Sequence, residues 1–145
     1  MTTDPTLRAK NARERDRLKS LVARLSDADL GRPVGHGWTV ATTLVHLAFW
    51  DLRAVTLIDR YAKEGVKASP ADVDVVNDTV RALAAAIPAR AAARLAVEAA
   101  EAADSRIEAL PERILDAVAA AGNPFTPSRH LHRAEHLDEI ERALS

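Results

Sequence analysis

The stretch from Thr39 to Glu64 constrains the fold most. An α-helix turns about 100° per residue, which puts Val40, Leu44, Leu47, Asp51, Val55 and Ile58 on one side. Ala41, Val45, Ala48 and Leu52 cover the adjacent side, so well over half the circumference is apolar. A helix of that kind is enclosed by neighbours rather than laid on a surface. Thr39 is a suitable N-cap and Gly65 a suitable stop.

The rest of the chain supplies those neighbours. A first helix is expected from about Thr6 to Leu25, with Leu18, Leu21, Val22 and Leu25 at helical spacing. A third is expected from about Asp74 to Leu110, bent at Pro88, where a backbone donor is missing. A short helix follows, with Pro111 in its first turn and Gly122 as its stop. The last main helix starts near Ser128, a candidate N-cap, and runs to the end. GRPVGHGW and NPFTP read as loops, and no segment alternates as a strand does. Hydrophobic residues make up 48% of the chain but aromatics only 3%, so the core is built from Ala, Leu, Val and Ile. The expectation is an all-α, up-down-type four-helix bundle in a single domain, residues 1–145, with a short extra helix before the last main one.

Several function classes lose their support at this level. Twenty basic against 21 acidic residues leave a net charge of −1, without the basic excess of a nucleic-acid binder. The cations of NARERDRLK alternate with Glu14 and Asp16 and read as a solvated helix face. With no cysteine there is neither a disulfide nor a thiol nucleophile in the chain. MTTDPTLRAK has no apolar targeting core, and no run of about 18 apolar residues is evident. A cytoplasmic protein with neither membrane nor nucleic-acid partner is expected.

Three of the five histidines lie in HLHRAEH, residues 130–136. His132 and His136 are four apart, about 40° on the helix, and stack one turn above the other beside the stripe of Leu137, Ile140 and Leu144. Two imidazoles so placed can close on one ion, since Zn–N bonds are about 2.0–2.1 Å; they can equally be exposed polar residues. His130 points about 160° away from His132 and cannot share a site with the pair. His46 lies in the enclosed second helix, where a hydrogen-bonded core histidine is the ordinary reading. In a bundle, however, side chains from facing helices converge on the interior, and His46, His132 and His136 together would offer three neutral nitrogen donors. His36 reads as a surface residue able to line a pocket mouth, and Glu139 as a solvated one able to orient a ligand.

Two motifs carry a resemblance. Trp38-Thr39-Val40, then His46-Leu47, then Trp50-Asp51 form the first, and His132, His136, Leu137 and Ile140 the second. In this order and spacing they resemble the DinB-like superfamily, which includes bacterial thiol transferases and the N-terminal part of mycothiol-dependent maleylpyruvate isomerases. The resemblance implies a four-helix bundle, often dimeric, with a divalent metal such as zinc or nickel on His46, His132 and His136. It does not imply DNA binding. The isomerases carry a further C-terminal domain that finds no counterpart in this sequence.

The activity so implied is a metal-dependent S-transferase acting on a small-molecule electrophile. A thiol on a divalent ion is deprotonated, and the thiolate is the nucleophile. Lacking cysteine, the chain would take its sulfur from a low-molecular-weight thiol such as mycothiol or bacillithiol. A hydrolase in which water replaces the thiol, and a non-catalytic metal- or small-molecule-binding module, stay open beside it. No residue suggests itself as a general base.

Overall fold

The computed structural model describes residues 4–145; the first three residues of the expected domain lie outside the described residues. Seven helices and one small ribbon follow in the order α1 (Pro5–Arg24), α2 (Asp27–Leu30), β1 (Pro33–Gly35), β2 (Trp38–Thr39), α3 (Val40–Glu64), α4 (Val73–Ala84), α5 (Ala89–Glu108), α6 (Glu112–Ala120) and α7 (Arg129–Leu144). The fold is all-α, and α6 is the short extra helix expected before the last main one. Thr39 caps α3 by accepting from the Thr42 amide at 3.1 Å, and Gly65 ends it with φ 82°. Ser128 does not cap α7 through its side chain, contrary to expectation.

The bundle helices are α1, α3, α5 and α7, and their order in space is not up-down. Arg15 and Lys19 of α1 pair with Asp104 and Glu101 of α5, so these two run antiparallel. Asn11 meets His130 and Arg17 meets Asp138, so α1 and α7 run parallel. His46 faces His132 whereas Asp51 faces Arg129, so α3 and α7 are antiparallel. Leu44 packs near Ala93, and Ile58 near Ile107, which makes α3 and α5 parallel.

That parallel pair needs a return segment, and α4 provides it. Val45, Val80 and Ala92 form one cluster with Phe49, Val76, Ala84 and Ile87 around it, so α4 runs back along α3. The third predicted helix is therefore not one bent helix but two, with the chain reversing at residues 85–88. Pro88 stands just outside α5 at φ −55°, ψ 136°, because a proline has no amide for the helical ladder and its ring crowds the preceding turn.

The core is aliphatic, as the composition implied. Leu18, Leu21, Leu44, Leu47, Ala96, Ala100, Leu137 and Ile140 are fully or almost fully buried at one end. Tyr61, Ile107, Val118 and Phe125 gather at the other. Helix α3 is long and apolar enough to cross a membrane by length and composition, although 56% of its most apolar window is buried here. Its apolarity thus has a use inside the bundle. Enclosure is not complete, since Leu52 is 39% exposed.

One segment expected as loop carries structure that matters for the site. Residues 33–39 form a tight antiparallel ribbon, Pro33 opposite Thr39 and Gly35 opposite Trp38. Its turn has φ of 109°, 42° and 81° at Gly35, His36 and Gly37, a left-handed run that glycine makes accessible. The ribbon lies against α7 and buries Trp38 to 4% exposure.

Candidate metal centre

Helix α3 brings His46 and helix α7 brings His132 and His136 to one point. The three ring centroids form a nearly equilateral triangle with sides of 4.9, 4.7 and 4.8 Å. One ring nitrogen from each residue lies within 4.8 Å of the others. His46 Nε2 and His132 Nε2 are 2.9 Å apart. Two nitrogens on one ion at the usual bond length are about 3–3.4 Å apart for right-angled to tetrahedral geometry, so this edge already has the required size. His36 and His130 stay outside the triangle, as expected.

Two of the donors, His46 and His132, are held in the protonation state that a metal requires. Burial, reinforced by the nearby His136, pushes His46 down from 6.5 to about 4. Burial, with His136, His46, Arg129 and Arg133 adding to it, pushes His132 down to about 2. Both rings are therefore neutral near pH 7, and their lone pairs are free of protons that would compete.

Around the triangle stand groups that fix its orientation. Glu139 Oε1 lies 3.4 Å from His136 Nδ1, and its other oxygen lies 3.6 Å from His36 Nε2. A carboxylate only accepts, so in this contact His136 Nδ1 is the donor. Glu139 is half-buried, not the solvated residue the sequence suggested. The His46 Nδ1 atom is buried without a hydrogen-bond partner, as is the Asn77 Oδ1 atom; the Asn77 side chain favours protonation of His46. Trp38 and Trp50 flank His46 at 4.9 and 6.5 Å between ring centroids.

The triangle opens into a cavity of about 670 Å³. Trp38 and Trp50 line it, with Val73, Asn77 and Arg81 from the α4 region and Leu131 and Glu135 from α7. Leu47 and Leu57 do not line it and belong to the core clusters. A cavity of this size admits a small-molecule ligand.

Behind the site runs a buried ionic network that the sequence reading missed. Arg129 Nε donates to Asp51 at 2.8 Å, and Arg133 donates to both oxygens of Asp104 at 2.8 Å and to Asp51 at 3.3 Å. Arg15 adds a 3.0 Å bond to Asp104, and Asn11 bonds the Pro127 carbonyl and the His130 amide. Part of the supposedly solvated NARERDRLK face is thus interior: Asn11 is 2% exposed and Glu14 9%. The overlooked signal was charge on buried faces, with Asp51 in the apolar stripe of α3 and Arg129 and Arg133 extending the buried stripe of α7.

The donor set fits a divalent ion: three converging imidazoles, one with a carboxylate behind it, beside a cavity with room for further ligands. No curated protein and no solved structure matches the chain. The family model of the DinB superfamily matches residues 10–137. That span takes in all three histidines and every bundle helix, at least in part; the chain belongs to the DinB superfamily.

Proposed function

We propose that this chain is a divalent-metal enzyme, with zinc or nickel on His46, His132 and His136, that joins a low-molecular-weight thiol of the mycothiol or bacillithiol kind to a small electrophile. The observation that carries this reading is the convergence of three imidazoles beside an open cavity in a chain with no cysteine. A divalent ion held there would acidify a thiol and fix its sulfur for attack. The chain's own contribution is positional. Glu139 orients His136, the Asp51–Arg129–Arg133 network holds α7 against α3, and Trp38 and Trp50 keep water from one side of the site.

Cobalt-substituted protein tests the proposal. Adding a suitable thiol should produce a new sulfur-to-metal charge-transfer band, and conjugation to a test electrophile should be lost in His46→Ala, His132→Ala and His136→Ala. A spectrum unchanged by thiols of several types, with the metal still bound, removes the transferase reading and leaves the hydrolase or binding module. A homodimer belongs to the same proposal. Exposed Leu52, Val75, Leu83 and Leu131 offer apolar surface for it, and a monomer by light scattering at micromolar concentration would contradict it.

A further inference from the structure

We infer that the small molecule received by this cavity carries a carboxylate, and that Arg129 with Ser128 receives it. The inference rests on the cavity being the ligand site of the proposed function. Arg129 lines the cavity and is 7% exposed. Its Nε is committed to Asp51 at 2.8 Å and its Nη1 to the Thr126 carbonyl at 3.4 Å. Its Nη2 is buried and has no partner among the described residues. A guanidinium presents its donors as a rigid fork matched to a carboxylate, and here one prong is left unpaired just beneath the surface of a residue that lines the cavity.

The charge balance behind that prong points the same way. Arg15, Arg129 and Arg133 are three cations, whereas Asp51 and Asp104, the carboxylates they share, are two. One positive charge is uncompensated, and both carboxylates are at most 1% exposed. Ser128 supplies a second donor. It lines the cavity at the start of the 16-residue helix α7, yet its hydroxyl makes no capping bond. An anion there also meets the positive end of the α7 dipole. Glu135, the one acidic residue of the lining, is exposed, and solvent screens its charge. A single surplus charge suits a monoanionic carboxylate better than a phosphate dianion, and Trp38 and Trp50 suit a flat apolar body attached to it.

Phenylacetate, phenylacetamide and phenyl phosphate serve as probes, read by the fluorescence of Trp38 and Trp50, the chain's two tryptophans, in metal-free and zinc-loaded protein. Phenylacetate should bind both forms, and the neutral amide should bind at least about tenfold more weakly, the scale of one charge-assisted hydrogen bond. Arg129→Gln should abolish that preference. Ser128→Ala, which touches no ion pair, should weaken the acid without weakening the amide. Equal binding of acid and amide to the metal-free protein overturns the inference. So does a preference that survives both substitutions, a tighter phosphate, or acid binding seen only with zinc present. Because the decisive comparison is made without metal, it stands or falls separately from thiol binding at the metal.

Discussion

Glu139 and the ring of His136 show what a single contact does to the proposed centre. The 3.4 Å approach of Glu139 Oε1 to His136 Nδ1 gives that ring a carboxylate partner, and a carboxylate in that position raises the basicity of a ligating imidazole. Glu139→Gln should therefore weaken zinc binding by about 10–100-fold, measured by competition with a chelator; unchanged affinity would remove Glu139 from this role. The histidines also set a pH dependence for the metal-free protein. His46 and His132 are depressed in the folded state, to about 4 and about 2, whereas in the unfolded chain they titrate near 6.5. Below 6.5 the unfolded state thus binds more protons, and stability falls as the pH drops from 6.5 toward 4. The slope contributed is at most about 1.4 kcal/mol per pH unit for each ring. Denaturant midpoints that stay flat between pH 7.5 and 5 would contradict the buried, neutral state of these rings. The sequence disclosed the three ligand candidates because helical spacing places side chains directly. It offered Glu139 as able to orient a ligand but read it as solvated, because its half-buried surroundings depend on a ribbon turn folding over α7.

Each bundle helix contributes a charged or polar group to one buried network: Asn11 and Arg15 from α1, Asp51 from α3, Asp104 from α5, and Arg129 and Arg133 from α7. Burial alone would lower the Arg133 pKa, but Asp104 and Asp51 outweigh it and raise it, so the guanidinium stays charged in the interior. Removing one partner of such a set leaves the other buried and uncompensated. Asp104→Ala should destabilise the fold by about 3–5 kcal/mol, with a matching drop in thermal midpoint; a loss well under 1 kcal/mol would mean that water or rearrangement replaces the pair. At this scale the sequence was legible where periodicity decides. The starts and ends of α1, α3, α6 and α7 follow from apolar spacing, Thr39, Gly65 and Gly122. The break before Pro88 was legible as a proline, but not as a reversal. A 3.6-residue pattern continues equally well through a bend and across a turn, and only the packing of Val76 and Val80 on Val45 and Phe49 distinguishes the two.

For the molecule as a whole, the reversal at residues 85–88 sets the architecture. It lets α3 and α5 run parallel and places α4 where Asn77 and Arg81 line the cavity above the histidines. The all-α class and the convergence of α3 with α7 could be read from the chain, because an enclosed helix needs neighbours and two histidine-bearing faces need a common interior. The neighbour order could not, since it depends on long-range pairing among helices of similar character. Under the proposed function this arrangement holds one divalent ion between α3 and α7. Metal content of the protein purified without a polyhistidine tag, beside His46→Ala and His136→Ala prepared identically, tests that claim most directly. The account predicts about one equivalent in the parent chain, from a three-imidazole site of the open kind, and loss of the ion in both variants. Full occupancy in either variant, or no metal in the parent after equilibration with zinc and nickel, would contradict it.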